Sequence, residues 1–322
     1  MPLFNESSFR TPFYFSNRHL QTIYPAVFRK VDGVEYTREK MVTNDGDFID
    51  LDFSKVFSNK IVLVLHGLEG SAERPYVQGI IKIFNKNGWD GVVLNFRGCG
   101  GTPNLKPRTY HSGETGDINE VIDHLAKESH YKEIAIIGFS LGGNVTLKYV
   151  GEQSNKLYPL IKKAVAFSVP CHLESASVEL SKWYNAVYMK RFMDGLKEKV
   201  KNRETIFKDI VDLEKVYASK SFLDFDEYFT APVHGFTSAV DYWTKSSSKQ
   251  FLKDISIPTL LVNAKDDSFL SAECYPFEEA EALENFFLEV PDKGGHVGFA
   301  GMDEEGFYWS ERRALRFVLE GN

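Results

Sequence analysis

Cysteine is scarce in this chain of 322 residues, which contains only Cys99, Cys171 and Cys274. Three thiols are too few and too scattered for a disulfide framework, and they lack the spacing of a zinc site. A chain without disulfides is typical of a reducing compartment, so we expect a cytoplasmic protein. We expect no metal and no organic cofactor.

Long runs of one residue type are also missing. There is no long cluster of lysine and arginine, and the formal net charge is -7, which argues against nucleic acid or an anionic membrane as the main partner. No stretch reaches the roughly 18 apolar residues that a transmembrane segment needs, and the first residues do not resemble a signal peptide. A small neutral or apolar molecule is a better candidate ligand. Nothing in the composition indicates the oligomeric state.

Short β-rich runs alternate with helix-length segments along most of the chain, which is typical of an α/β fold with a largely parallel sheet covered by helices. The near-continuous apolar character of these runs fits strands that are buried on both faces. The predicted parallel strands are 61–65, 91–96, 133–139, 164–169, 259–262 and 286–290.

An antiparallel hairpin is predicted before the parallel strands. Residues 39–43 and 48–53 flank Asn44-Asp45-Gly46-Asp47, and the Asp-Gly pair in this stretch favours a tight turn. We expect this hairpin to form one edge of the sheet.

The segment from about Cys171 to Gln250 interrupts the alternation, because it contains helix-like amphipathic stretches and no convincing strand. It follows the fourth parallel strand, so it should lie above the carboxyl ends of the strands, where open α/β sheets bind ligands. We predict a single domain over residues 1–322 with a helical cap inserted at about 171–250. The alternative is that these helices only enlarge the core.

A candidate nucleophile lies in Gly138-Phe139-Ser140-Leu141-Gly142, at the end of a predicted strand. A serine on a sharp turn from strand to helix has a strained backbone, and the residues two before and two after it must be glycine to avoid clashes. A five-residue pattern of this kind also arises by chance, so its meaning depends on the rest of the chain.

A nucleophilic serine needs a histidine base and an orienting acid, and in sheets of this kind the acid and then the base follow the serine, each after a later strand. The chain supplies an acid after 259–262 and a histidine after 286–290, in that order. His296 follows a pair of glycines that permit an unusual loop. We therefore predict that His296 is the base for Ser140.

Two neighbouring aspartates compete for the role of the acid. The usual spacing, counted from Pro258 through the strand and Ala264, favours Asp267. Asp266 is then a turn residue or a hydrogen-bond acceptor for the loop.

A tetrahedral intermediate on the serine also needs two N–H donors for its oxyanion. One is the backbone N–H of Leu141, immediately after the serine. We assign the other to the backbone N–H of Leu68, in the loop His66-Gly67-Leu68-Glu69-Gly70. His66 would then shape the loop. This glycine-rich loop lacks the Gly-Lys-Ser/Thr ending of a phosphate-binding P-loop.

Three other features have simpler explanations or stay open. His111, Glu114 and Asp117 could form a metal cluster, but acidic residues are expected in a first helical turn and no further ligand is evident. Cys99 is an alternative nucleophile, but it lacks a nearby histidine pattern, so we expect a packed thiol. Residues 17–28 either cover an edge of the domain or border the site.

Several short stretches spread along the chain form a dense pattern. They are NRHLQT at 17–22, HGLEGS at 66–71, NFRGC at 95–99, YHSGET at 110–115, GFSLGGN at 138–144, KDD at 265–267 and GGHVGF at 294–299, with FDE at 225–227, TA at 230–231 and HG at 234–235 in the predicted cap. With these motifs the chain resembles the YheT-like branch of the α/β-hydrolases, which also includes eukaryotic ABHD-type lipases and esterases and yeast acyltransferases that form ethyl esters. Ser268 departs from the pattern, because relatives often have proline there, and this affects the loop more than the chemistry.

The resemblance implies an α/β-hydrolase fold and a serine esterase or lipase-like hydrolase. The implied substrate is a small-molecule carboxylic ester with an apolar acyl group, either of short to medium length or lipid-like. Hydrolysis and transfer of the acyl group to an alcohol share one acyl-enzyme intermediate, so the sequence does not separate them. A ligand-binding protein without catalysis on the same fold is a further alternative.

Overall fold

A nine-stranded sheet organises the protein in a computed structural model, which describes residues 3–4, 6–127 and 130–320. Within these residues the strands are β1 (Leu3–Phe4), β2 (Thr37–Val42), β3 (Phe48–Ser54), β4 (Lys60–Leu65), β5 (Asp90–Asn95), β6 (Glu133–Phe139), β7 (Ile161–Phe167), β8 (Thr259–Val262) and β9 (Phe286–Glu289). Their order across the sheet is β1-β9-β8-β7-β6-β4-β5-β3-β2. Strands β4 to β9 run parallel, as the buried apolar runs predict.

The predicted hairpin is confirmed. β2 and β3 pair antiparallel, β3 pairs antiparallel with β5, and β2 forms one edge of the sheet. The opposite edge is β1, which pairs with β9 and was not predicted, because two residues are too few to show a strand pattern. β7 begins at Ile161, before the predicted start at Ala164, since Lys162 and Lys163 interrupt the apolar run.

Helices cover both faces of the sheet, as predicted. They are α1 (Arg18–Phe28), α2 (Pro75–Lys86), α3 (Gly116–Lys127), α4 (Leu141–Gln153), α5 (Leu173–Leu180), α6 (Ala186–Lys201), α7 (Glu204–Phe207), α8 (Leu213–Ala218), α9 (Phe222–Phe225), α10 (Ala231–His234), α11 (Ala239–Ser246), α12 (Phe277–Ala282) and α13 (Trp309–Glu320). α2 and α13 pack on the face that contains Val64 and Ile137, and α3 and α4 pack on the face that contains Leu63 and Ile136. In the part of the chain that the structure describes, no helix has the length and apolar character needed to cross a bilayer.

Helices α5 to α11 lie between β7 and β8 and are called the helical segment below. Residues 168–258, all of which are described, contain no strand, and a short π-helix, Asp226–Thr230, joins α9 to α10. The segment has an apolar cluster of its own that includes Met193, Phe207 and Phe229. Phe269, from the loop after β8, completes this cluster and connects the segment to the sheet.

α1 is fixed at both ends. Asn17 caps its first turn, where the side-chain Oδ1 accepts a hydrogen bond of 2.8 Å from His19 N. Just past its last turn, Arg29 forms a buried ion pair of 2.6 Å with Glu311 of α13. α1 therefore lies against the same side of the domain as α13.

Candidate active site

Ser140 lies on a sharp turn between β6 and α4. Its backbone has φ 52° and ψ -117°, a conformation that residues other than glycine rarely adopt. The strained turn is held in place by a hydrogen bond of 2.9 Å from Ser140 N to Phe167 O at the end of β7. Strain of this kind persists only where the surrounding structure enforces it.

The glycines on either side of the turn are required by close backbone contacts. A Cβ atom on Gly138 would lie 2.4 Å from Gly142 O, and a Cβ atom on Gly142 would lie 2.5 Å from both His66 O and Leu65 O. No side chain could be added at either position without moving backbone. The steric prediction made for this five-residue pattern is confirmed.

The structure brings Ser140, His296 and Asp267 together in one hydrogen-bonded line. His296 Nε2 lies 2.9 Å from Ser140 Oγ, and His296 Nδ1 lies 2.8 Å from Asp267 Oδ2. A buried carboxylate can only accept, so Nδ1 must carry the proton that it donates to Asp267. This tautomer leaves the lone pair of Nε2 directed at the serine hydroxyl.

The two aspartates after β8 have separate contacts. Asp267 is buried, and its Oδ1 accepts a hydrogen bond of 2.9 Å from Phe269 N, which fixes the carboxylate that faces His296. Asp266 Oδ1 accepts a bond of 2.9 Å from Gly295 N, so it serves the loop as predicted. Partial burial raises the pKa of Asp266.

Three residues that the sequence did not indicate hold the His296 loop. Thr22 Oγ1 on α1 accepts from His296 N at 2.9 Å, and Ser168 Oγ accepts from Val297 N at 2.8 Å. The ring of Phe269 stacks on the imidazole with 4.1 Å between centroids. α1 therefore borders the site, which decides a question that the sequence left open. The motif at 17–22 includes Thr22 but does not indicate that its hydroxyl supports the histidine loop.

The two predicted oxyanion donors belong to segments that lie beside Ser140. Leu141 begins α4, and a Cβ atom on Gly67 would lie 3.3 Å from the Ser140 Cβ, so the loop that contains Leu68 also packs against the serine. Neither the Leu68 N–H nor the Leu141 N–H is paired with an acceptor within the described residues. Both donors are available to a ligand.

His66 shapes the loop that contains Leu68. It is fully buried, its Nε2 accepts from Phe96 N at 3.1 Å, and its Nδ1 donates to Gly67 O at 2.7 Å. Burial lowers the pKa of His66 to about 3, so the ring is neutral at physiological pH. Gly67 N in turn donates to Tyr76 Oη at 2.9 Å, which fixes the loop beside Ser140.

Two cavities meet at Ser140. The deep cavity, about 430 Å³, extends beneath the helical segment, and the α1 cavity, about 420 Å³, lies between α1 and α6. The deep cavity is lined mainly by aliphatic and aromatic side chains, among them Leu173, Leu180, Leu196, Val200, Phe207, Phe225, Phe229 and Trp243. Both cavities also share a common wall, which includes Leu68, Ser140, Phe192, Gly195, Phe269 and His296.

The thiol of Cys99 contacts a lysine of the helical segment. Lys199 Nζ lies 2.9 Å from Cys99 Sγ and 2.9 Å from Glu69 Oε1. Burial raises the pKa of the Cys99 thiol, and no described histidine bonds to it. These contacts fit the predicted packed thiol and connect α6 to the loop after β4.

The acidic residues that could have formed a metal cluster are paired with arginines. Asp117 accepts from Arg97 Nε at 2.8 Å, and Glu114 accepts from Arg108 at 2.7 Å. Among residues 3–4, 6–127 and 130–320 there is no group of three or more side chains that could hold a metal ion.

Comparisons with known proteins identify the fold. A family model described as alpha/beta hydrolase fold matches residues 60–301. YheT of Escherichia coli strain K12, whose name marks it as a candidate esterase, is 35% identical over 295 residues that cover 89% of this chain and 85% of YheT. Phospholipase ABHD3 of Mus musculus is 30% identical over 308 residues, which cover 92% of this chain and 74% of that protein.

Among solved structures, an esterase of Pyrococcus furiosus is similar with a TM-score of 0.59 and 19% identity. The match covers 88% of this chain and 91% of that esterase. At this identity the likeness supports the fold alone.

Proposed function

The chain belongs to the α/β-hydrolase family, and we propose that it is a serine hydrolase that cleaves carboxylic esters through an acyl-enzyme intermediate. The observation that carries the proposal is the hydrogen-bonded line from Ser140 through His296 to Asp267, at 2.9 and 2.8 Å. In this proposal Ser140 is the nucleophile, His296 is the general base and Asp267 is the orienting acid.

The proposed reaction begins when His296 Nε2 takes the Ser140 proton as Oγ attacks the ester carbonyl carbon. Asp267 keeps the proton on Nδ1 and stabilises the imidazolium that forms. The N–H groups of Leu68 and Leu141 donate to the oxyanion, and in other serine enzymes one such donor contributes about 2.7–4 kcal/mol. The imidazolium then protonates the leaving alcohol, and a water activated by His296 releases the acid.

The two cavities suggest which part of the ester lies where. The apolar lining of the deep cavity favours the acyl chain, and the α1 cavity on the other side of Ser140 leaves room for the alcohol part. In this arrangement the helical segment is a cap whose side chains select the acyl group. An acyl chain in the deep cavity would contact Leu196 and Val200 of α6.

A fluorophosphonate probe tests the nucleophile, because it reacts covalently with an activated serine. We expect the probe to label the wild type, while Ser140→Ala and His296→Ala lose both labelling and turnover of p-nitrophenyl esters. Cys99→Ser is the matched control, since it removes the alternative nucleophile and should keep both signals. Undiminished labelling of Ser140→Ala would contradict the assignment.

Three further measurements separate the alternative functions. A series of p-nitrophenyl esters of increasing chain length reports the depth of the acyl site as the length at which turnover collapses. Ethyl ester formed in excess of free acid when ethanol is added would replace hydrolysis by acyl transfer. A binding protein without catalysis would show no labelling and no turnover, while an acyl ligand would raise its melting temperature.

A further inference from the structure

α1 carries its apolar stripe on the solvent side. A helix of a globular domain ordinarily buries the residues spaced i, i+3, i+4, i+7 and i+8. Here those positions are exposed to solvent, and they are Leu20, Ile23, Tyr24, Val27 and Phe28. The residues that α1 buries are instead Gln21 and Pro25.

Exposed aromatic residues next to α1 extend this stripe. Phe13 and Tyr14 precede the helix, with Phe13 87% exposed, and the ring of Phe15 beside them contacts Tyr24 with 4.8 Å between centroids. Trp183 is 86% exposed, and its ring lies 5.7 Å from the ring of Tyr184, which in turn lies 4.7 Å from the Arg18 guanidinium at the start of α1. We call the stripe, Phe13, Tyr14 and Trp183 together the apolar surface. A contiguous apolar patch, unlike single exposed residues, marks an interaction site.

The chain segment that carries most of the apolar surface is basic. Residues 7–31 contain no aspartate or glutamate, although the chain has 45 acidic residues. The same stretch includes Arg10, Arg18 and Lys30, and Arg191 of α6 lies on the wall of the α1 cavity. The charge of this segment is therefore opposite to the net charge of -7, which by itself argued against an anionic partner. The carboxylate of Glu179, which accepts from Tyr184, is an acidic neighbour of Arg18.

We propose that the apolar surface docks onto a lipid bilayer that contains anionic phospholipid, with α1 lying in the plane of the interface. Exposed aromatic and aliphatic side chains flanked by arginine and lysine suit the boundary between headgroups and acyl chains. Residues 7–31, a stretch of 25 residues, contain no carboxylate. An anionic lipid surface accounts for this more directly than a second protein chain does, because a carboxylate in this stretch would be repelled by the lipid headgroups.

Docking in this orientation connects the bilayer to the reactive serine. Ile23 and Val27 belong to the stripe and also line the α1 cavity, which reaches Ser140 and His296. A lipid ester could pass from the bilayer into the cavity without crossing water. This route rests on the proposed ester hydrolysis, whereas the docking surface does not.

Vesicle flotation tests the docking directly. Wild-type protein should float with vesicles of phosphatidylcholine that contain roughly 30% phosphatidylglycerol, and less with phosphatidylcholine alone. Flotation should weaken as salt rises, because ions screen the basic residues. The double variant Phe28→Gln/Trp183→Gln, at two exposed positions outside both cavities, should lower the bound fraction about tenfold or more.

The control is Val42→Gln/Leu105→Gln, which removes two exposed apolar side chains on β2 and in a loop. The control should float like the wild type, and both double variants should keep wild-type hydrolysis of a water-soluble p-nitrophenyl ester. No flotation of the wild type, or equal flotation of both double variants, would overturn the proposal. If the wild type does not float but forms dimers, and Phe28→Gln/Trp183→Gln is monomeric, the apolar surface binds a second copy of the chain and not a bilayer. Flotation without ester turnover would leave the docking intact and refute the proposed function.

Discussion

The buried carboxylate of Asp226 should reduce the free energy of unfolding more at neutral than at acidic pH. Asp226 lies on the π-helix of the helical segment, where Oδ1 accepts from Thr230 Oγ1 at 2.6 Å and Oδ2 accepts from Trp243 Nε1 at 2.8 Å. Within the described residues no cation pairs with this side chain. Burial raises the pKa of Asp226 from 3.8 to about 6.

The magnitude follows from the difference between the two pKa values. Below pH 3.8 the carboxyl is neutral in both the folded and the unfolded chain, so it costs nothing. Between pH 3.8 and about 6 the folded state holds the proton more tightly, so the free energy of unfolding falls as pH rises, and above about 6 the loss is complete. A pKa difference of about 2.2 corresponds to about 3 kcal/mol.

Asp226→Asn isolates this cost, because the amide keeps an acceptor for Trp243 Nε1 and carries no charge. Measured by urea unfolding, the stability of the variant relative to wild type should rise by about 2.5 kcal/mol between pH 4 and pH 8, because about 0.5 kcal/mol of the cost is already present at pH 4. Asp194→Asn, at an exposed position of α6, controls for the substitution and should stay within about 0.5 kcal/mol at every pH. A difference for Asp226→Asn that does not change with pH would refute the reasoning, as would one that falls as pH rises.

Two further predictions concern the candidate site. Asp267→Asn should lower kcat on a p-nitrophenyl ester by about 10⁴-fold, because the amide favours the wrong tautomer of His296. Asp266→Asn should lower kcat by less than about tenfold, because Asp266 bonds only to the loop. Equal losses of kcat in the two variants would contradict the assignment of the acid. Gly142→Ala should destabilise the protein by about 1–3 kcal/mol in thermal unfolding, because its Cβ would meet backbone oxygens at 2.5 Å. Gly195→Ala, inside α6 with a nearest contact of 3.4 Å to the Glu69 side chain, should stabilise the protein by about 0.5–1 kcal/mol. A loss of stability in both variants would contradict the special steric requirement for glycine at the turn that carries Ser140.

The parallel sheet could be predicted because its strands have a distinctive sequence pattern. Each is an apolar run buried on both faces, and the carboxyl ends of parallel strands meet at one edge. That is why Ser140, Asp267 and His296, distant in sequence, could be expected to lie together, as they do. Their catalytic roles and the cytoplasmic location stay predictions. β1 could not be predicted, because its pairing with β9 depends on a partner nearly 300 residues away.

The supports of His296 could not be predicted for a related reason. Thr22 and Ser168 are ordinary hydroxyl residues in the sequence, and only the folded chain brings them to His296 N and Val297 N. The role of Phe269 could not be predicted either, because core packing is a sufficient explanation for an aromatic residue after β8. Its ring in fact stacks on the imidazole and also joins the apolar cluster of the helical segment.

The exposure of the α1 stripe is a consequence of how the site is built. A helical period of 3.6 residues predicts which side chains share a face, but it does not predict which face is turned inward. α1 turns its polar side inward because that side supports the histidine loop: Gln21 Oε1 accepts from Ala300 N at 2.7 Å, and Thr22 Oγ1 accepts from His296 N at 2.9 Å. Since one face of the helix is occupied in this way, Leu20, Tyr24 and Phe28 must face outward. The same helix therefore positions the proposed base and presents the proposed docking surface.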